Sequence, residues 1–417
     1  MSSPTAERFG WRLQGAVYAS AFFTGNLFPM ISVVMPLWAL AMGASPLVIG
    51  LIVSSRQILT VTLSIHSGAL MDRFGPRTVI MVLGAVGAAI MASFPLLPFI
   101  WAAILLQMAS GFTETTNWIG TQAMVGKLLR GHAVYAGRMT AAARFGGFAG
   151  PWATGLCWQY AGPFAAFGFL AIWVFGGVIA AWFVPKHEDI PPPPAEPGAA
   201  PVPPPAARRG PDVMPKLSDY VTAFRLLALP AVALVILATF MRQAGSGMQS
   251  SFYGVWLNEA GFSAGTIGFL IGTSNMVSAF AALSIGPLTK RAADHWLLVA
   301  MITLSIVGVA ITPLLPNFPL LVAAISLRGG AQGLNLPLMM SISSRAVGLD
   351  LQGRVAALRI TFNRLGGALV PLAMGALAEV VGIERSFYIM GALGIALIAL
   401  LAVWVWRSPA FADGGAI

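Results

Sequence analysis

Twelve apolar runs, each long enough to cross a bilayer as a helix, constrain this chain more than any other feature. They begin near Leu13, Leu47, Thr78, Ile100, Met139, Phe164, Pro230, Ala264, His295, Pro319, Val355 and Ser386. A spanning helix needs ~20 mostly apolar residues, so twelve consume roughly 240 positions and leave short loops, tails and one longer linker. Only 9% of the residues are charged, against ~25% in an ordinary soluble domain. Long apolar runs joined by such short loops cannot be soluble core helices. The chain reads as an all-α, polytopic membrane protein.

The formal net charge is +10, but its distribution argues against nucleic acid. Lys and Arg collect in alternate loops: Arg73 and Arg77; Lys127 and Arg130; Lys186, Arg208, Arg209 and Lys216; Lys290 and Arg291; Arg345 and Arg354; then Arg407. The intervening loops near Met42, Pro95, Ala161, Asn258 and Pro316 have almost none. By the positive-inside rule both termini and the central loop are expected in the cytoplasm. Residues Met1 to Arg12 are polar and the run after them is too long for a signal-peptide core, so no cleavable leader is expected. The single cysteine, Cys157, allows no intrachain disulfide.

The chain repeats itself. Gly43-Ala-Ser45-Pro-Leu-Val-Ile49-Gly50 recurs as Gly261-Phe-Ser263-Ala-Gly-Thr-Ile267-Gly268 at an offset of 218 (261 − 43), each serine being placed to cap the next helix. The same offset carries Gly68, Leu70 and Arg73 onto Gly286, Leu288 and Arg291, with Lys290 where Asp72 stood. Arg144-Phe-Gly-Gly147 and Pro151 match Arg364-Leu-Gly-Gly367 and Pro371 at an offset of 220 (364 − 144). The repeat divides the chain into three regions: a first six-helix bundle over 1–185, a proline-rich linker over 186–215, and an amphipathic surface helix with a second bundle over 216–417. The tract from Pro191 to Pro205 reads as an extended spacer, the alternative being a ligand for a proline-binding module. Lys216 to Leu229 sets Asp219 and Arg225 against Tyr220, Phe224 and Leu227, the pattern of a helix lying on the membrane surface.

Between the second and third runs stands Gly68-Ala-Leu-Met-Asp72-Arg73-Phe-Gly75-Pro-Arg77. Glycines let the chain reverse tightly, while Asp72, Arg73 and Arg77 sit at a boundary where charges reach water or one another. The pattern G-x-L-x-D-R-x-G-x-R resembles the loop between the second and third helices of the major facilitator superfamily. On the fifth run, Gly137, Gly146, Gly150, Pro151 and Gly155 resemble the G-x8-G-x3-G-P-x2-G-G motif of that superfamily's twelve-helix drug–proton antiporters, with Thr154 in place of the first of the final two glycines. Small residues four apart allow close helix approach and Pro151 bends the helix; the antiporter-like seam is the preferred reading and generic packing the alternative. The fourth run departs from the exporters' R-x-x-Q-G, having Gln107-Met-Ala-Ser-Gly111; Arg328 and Gln332-Gly333 in the tenth run are a looser version. The resemblance implies two pseudo-symmetric six-helix bundles, substrate held near the midplane and alternating access. It also implies that Asp72 holds the bundles together at the cytoplasmic side and that the fifth-helix seam closes the outer side.

Ionised groups inside a bilayer are costly and need a reason. Arg56, Thr60, Ser64 and Ser67 form a stripe on the second run, with His66 beside it; Gln107, Ser110, Glu114, Asn117 and Thr121 form one on the fourth. The seventh run has Arg242, Ser246, Gln249 and Tyr253; the tenth has Arg328, Gln332 and Asn335; Arg144 and Arg364 are repeat equivalents, Asn363 preceding the latter. Such stripes face a wet cavity or other helices. The candidate substrate contacts are therefore Arg56, Asn117, Arg242, Gln249, Tyr253, Arg328, Gln332 and Asn335, with Trp118, Phe252, Tyr253 and Trp256 as aromatic surface. Glu114, the one acidic residue deep in a span, is the candidate proton carrier, the alternative being a static ion pair with Arg242 or Arg328; His66 is the second candidate.

Five buried arginines facing one carboxylate favour an anionic or zwitterionic substrate. The expected function is proton-coupled export of a small amphipathic compound of that kind. The alternatives are proton-coupled uptake of an organic anion or metal-chelate ligand and, in a different class, a non-transporting scaffold or receptor. No catalytic triad or phosphate loop is visible, and His66, His132, His187 and His295 are scattered, so no enzyme activity, cofactor or metal is expected. The partners expected are a small molecule and the lipid bilayer, the energy source a proton gradient, the location a bacterial inner membrane and the state a monomer.

Overall fold

The computed structural model describes residues 10–129, 133–185, 224–315, 317–347 and 349–411. All regular structure among them is helical. Twelve spans succeed one another: α1 (Trp11–Ala41), α2 (46–74), α3 (76–93), α4 (Ile100–Leu128), α5 (133–161), α6 (163–182), α7 (Pro230–Glu259), α8 (Ala264–Leu283), α9 (Asp294–Ala310), α10 (Phe318–Ala346), α11 (Leu349–Val381) and α12 (Ile383–Arg407). The linker over 186–215 and most of the expected surface helix lie outside the described residues; of that helix, residues 224–229 are seen, α-helical at 224 and 225 and then a 3-10 turn, Leu226–Ala228.

Three of the reversals are made by a single glycine, the third being Gly382 between α11 and α12, with φ of +87°. Gly75 and Gly162 have φ of +76° and +75°, a region open to glycine, and Pro76 and Pro163 start the next helices. α5 and α11 begin about two turns before the apolar pattern predicts, because helix continues through polar residues beyond the hydrocarbon. Eight segments are apolar enough to span by composition, Val134–Trp182 containing two of the twelve; α4, α9 and α10 are not among them. α4 and α10 carry many of the polar stripe residues, and the fold turns those stripes inward.

α1 is broken. Its two parts, Trp11–Thr24 and Leu27–Ala41, flank Gly25 and Asn26. The ring of Pro29 would clash with the carbonyl four residues back, which ends the first part. The break leaves the N–H of Phe28 without a helical acceptor.

The halves, α1–α6 and α7–α12, meet through α5 with α8 and α2 with α11. Carbonyls occupy the space a side chain would need. A Cβ on Gly155 would lie 2.1 Å from the Ala264 oxygen, and one on Gly268 2.2 Å from that of Pro151. The α2–α11 seam repeats this, Gly50 against Pro371 at 2.5 Å and Gly375 against Pro46 at 2.7 Å. The first offset of the sequence repeat relates Gly50 to Gly268, and the second relates Gly155 to Gly375. Both seams lie toward the arginine-poor end, which they close. There Leu47 N–H donates to Glu379 Oε2 (3.0 Å), and its repeat equivalent Gly265 N–H donates to Gln159 Oε1 (3.3 Å). The expected serine caps divide: Ser263 accepts from Thr266 N–H, whereas Ser45 makes no cap bond and Glu379 serves that helix end from the other bundle.

Candidate functional site

Between the bundles, near the middle of the spans, lies a cavity of about 290 Å³ walled by α1, α2 and α4 on one side and α7, α10 and α11 on the other. From the first bundle, Arg56 reaches from α2 to an ion pair with Glu114 on α4, the two being 4% and 12% exposed. Arg56 Nη1 also donates to Ser110 Oγ (2.9 Å) and Gln107 Oε1 (3.3 Å), and the ring of Phe28 lies 5.6 Å from the guanidinium carbon. Glu114 Oε1 accepts the Phe28 N–H at 2.7 Å. That donor exists because α1 is broken, and the positive end of the second helical part favours the carboxylate.

The second bundle presents Arg242 and Arg364. Arg242 donates to Asn363 Oδ1, and Gln243 Nε2 donates to the Asn363 carbonyl (3.0 Å). Arg364 crosses the cavity, donating to Gln57 Oε1 (3.1 Å) and Thr115 Oγ1 (3.4 Å). Gln332 donates to Ser246 Oγ (3.0 Å) and accepts from Ser305 Oγ (3.2 Å). Among the described residues neither Arg242 nor Arg364 has a carboxylate partner. The wall therefore carries three guanidiniums and one carboxylate, a set suited to an anion.

Of the candidate substrate contacts, Arg56, Arg242 and Gln332 line this cavity. Asn117 instead faces a small pocket inside the first bundle. Gln249, Tyr253, Arg328 and Asn335 do not line the cavity; Tyr253, Arg328 and Asn335 are packed in the second bundle, Arg328 donating to Ser274 Oγ at 3.1 Å. Glu114 pairs with Arg56, and not with Arg242 or Arg328, the two partners that its place in the chain suggests. Trp118 is in the wall and fills the space beside Gly25, whereas Phe252 is wholly buried and Trp256 packs on the core. Arg364 lines the cavity but Arg144, half-buried on α5, does not, so the symmetric arginines have diverged. Gln57, Thr115 and Gln243 are wall residues that the stripes do not single out; two of them are chain neighbours of cavity arginines.

The side chains of His66 and Asp72, and the surroundings of Gly68, lie outside what the structure describes. Nearby, Arg73 is exposed beside the Phe74 ring, while Arg77 donates to the Trp182 carbonyl (3.0 Å) and so ties the α2–α3 reversal to the end of α6. On α5, Gly146 packs on Asn26 and Phe22 of α1, Gly150 on Met30, and Gly155 on α8, while Gly137 is exposed and meets nothing. Pro151 lies in the α5–α8 seam.

The sequence profile of the Major Facilitator Superfamily matches residues 17–237 and again 235–415. Among solved structures, the nucleoside transporter NupG is similar with a TM-score of 0.74 at 14% identity, over 94% of this chain and 99% of that one. A bacterial homologue of the human lysosomal transporter Spinster, in an inward-facing and unoccupied conformation, is similar with a TM-score of 0.73 at 15% identity, over 95% and 97%. Nothing among curated protein sequences matches the chain.

Proposed function

Because this chain belongs to the major facilitator superfamily, and so is a secondary membrane transporter and not an enzyme, we propose that it carries a small organic anion together with a proton, by alternating access. The observation that carries this reading is the Arg56–Glu114 pair inside a cavity that also holds Arg242 and Arg364. With Glu114 ionised, Arg56 is neutralised by its own bundle. Protonation of Glu114 frees that guanidinium, and three positive groups then face the cavity. Proton and anion therefore favour each other's binding, which is linkage of the cotransport kind. An antiporter needs the two to compete.

Charge logic thus moves the direction from the export expected on sequence to inward cotransport down a proton gradient. The glycine seam of α5 supports either direction, because any carrier must close one end. The cavity volume of about 290 Å³ is at the small end of ligand pockets, which run ~300–1,000 Å³. That favours a compact anion over a bulky chelate. In this reading the basic loops are cytoplasmic, the membrane is a bacterial inner membrane and the closed end is external.

The test uses the full chain in lipid vesicles with an imposed pH gradient and a dye for internal pH. A panel of small carboxylates, sulfonates and phosphate monoesters is offered alongside cationic amphiphiles. We expect at least one anion to accumulate on the side toward which protons flow. Movement of every transported compound against the proton flow, or transport of cations alone, overturns the proposal.

A further inference from the structure

Glu114 touches two spaces. One is the central cavity; the other is a pocket of about 10 Å³ enclosed inside the first bundle, bordered by Thr24, Gly84, Thr113, Asn117 and Gly177. Asn117 lines only the second of these. It is 4% exposed and its Oδ1 has no hydrogen-bond partner. A buried acceptor left unmet is destabilising, and a single water needs roughly 10–15 Å³ of such volume together with 2–4 polar partners. The pocket is at the lower edge of that range.

Its chemistry is largely that of acceptors. Thr113 spends its hydroxyl proton on the Ser110 carbonyl (3.1 Å), so toward the pocket it has only lone pairs. Asn117 Oδ1 and the Glu114 carboxylate are acceptors as well. These acceptors, beside the Asn117 Nδ2 donor near Gly84, suit a water, which donates as well as accepts. Thr24 continues the polar lining: its hydroxyl and that of Thr121 lie 2.9 Å apart, the first also bonded to the Ser20 carbonyl and the second to the Asn117 carbonyl, one helical turn from Asn117 toward the basic end.

We propose that this pocket holds one water and is the proton's route between Glu114 and the basic end, its exit in inward cotransport. Protonated Glu114 passes its proton to that water, and the hydronium so formed hands it on toward the basic end; the reverse transfer protonates the carboxylate again. The proton thus leaves Glu114 through the first bundle, and the anion leaves Arg56 through the cavity. The inference rests on the cotransport reading and adds to it that the two solutes have separate routes. In the second bundle Asn335 is the repeat equivalent of Asn117, with both side-chain polar atoms unmet, but Gln332 stands where Glu114 would be. That half has the asparagine without a proton acceptor to serve.

The test needs no substrate. Time-resolved infrared spectroscopy on the purified full chain follows the protonated carboxyl band after a light-triggered proton release, and Glu114→Gln identifies the band by removing it. Asn117→Leu keeps the branching and the number of heavy atoms but removes the acceptor, and should slow the rise of the band by about tenfold, the rate equivalent of one lost hydrogen bond. Asn117→Ser keeps an acceptor and should stay within about twofold of the wild-type rate. A wild-type rate in the leucine variant overturns the route. So does a loss of about tenfold in the serine variant, which decides the matter where the leucine variant does not fold. Absence of any Glu114-dependent band in the wild type overturns the cotransport reading itself.

Discussion

The two bundles contain the same buried bridge with its ends exchanged. In the first, Arg56 on α2 donates to Ser110 on α4 at 2.9 Å; in the second, Arg328 on α10 donates to Ser274 on α8 at 3.1 Å. The first repeat offset carries Arg56 onto Ser274 and Ser110 onto Arg328. The contact is kept although each residue has changed helices. Around it the halves differ in their one carboxylate, Glu114 in the first against its repeat equivalent Gln332 in the second, and in Arg242, whose equivalent in the first is Thr24. Gln332 is satisfied by Ser246 and Ser305 of its own bundle, whereas Glu114 holds Arg56 and an N–H of broken α1. One half thus carries a charge that a proton can cancel and the other carries fixed positive charge. In the proposed mechanism coupling belongs to the first bundle, and the fixed attraction for the anion to the second.

The strongest way to break that division is to make the first bundle resemble the second. Glu114→Gln cannot titrate and leaves Arg56 buried without its partner, a change worth ~3–5 kcal/mol in stability. We expect a lower melting temperature and loss of gradient-driven accumulation. The double variant Arg56→Gln with Glu114→Gln removes both charges and should recover most of the stability without recovering coupling. Thermal melts and vesicle uptake check both. A single variant that accumulates substrate at the wild-type level removes Glu114 from coupling.

Gly155→Leu tests the closure that both halves share. The side chain would push against the Ala264 carbonyl, which is backbone and cannot swing aside. Overpacking of this kind costs ~1–3 kcal/mol, spent against the closed state, so spin-label distances across the α5–α8 seam should lengthen. Gly150→Leu is expected to be milder, because its neighbour is the flexible end of Met30. Equal effects from the two would mean that carbonyl contact is not what holds the seam.

The converse exchange, Gln332→Glu, gives the second bundle an acid. Its carboxylate would offset the positive charge at Arg242 and Arg364, so the half-saturation concentration of a transported anion at neutral pH should rise by about tenfold, ~1.4 kcal/mol at an effective dielectric near 20. Uptake titrations at two pH values measure it. An unchanged value would place the anion away from the second bundle.

Much of this was legible in the chain. The twelve runs marked the spans, and the two offsets relate the glycines of one seam to those of the other. The polar stripes were harder to place, because adjacent residues on a helix differ by ~100°. Arg56 and Gln57 both reach the cavity, as do Arg242 and Gln243, while Asn117, one helical turn from Glu114, points into the bundle. On α7 the stripe failed for a local reason. Gln249–Tyr253 is a π-helical turn, which adds a residue to the turn and rotates the rest of the helix, so Gln249 and Tyr253 miss the wall that Arg242 and Ser246 share. The break in α1 was readable from Pro29, but its partner Glu114 is remote in the chain and only the fold brings them together.

The smallest effect belongs to the pair of clasps at the closed end. Glu379 accepts from Leu47 N–H and Gln159 from Gly265 N–H, at positions related by the repeat, one with a carboxylate and one with an amide. Glu379→Gln makes them alike. The geometry of the acceptor is kept, since Gln retains the carbonyl oxygen, and only the attraction between a carboxylate and the positive end of α2 is lost. Glu379 is exposed, so salt and water screen that attraction. We expect the closed state to lose no more than about fivefold in its population relative to the open one, with the loss shrinking as salt is raised. Spin-label distances across α2 and α11, measured at low and high salt, read both quantities. A shift that is large and indifferent to salt would show that Glu379 does more than cap a helix, and that the two clasps are not mechanical equivalents.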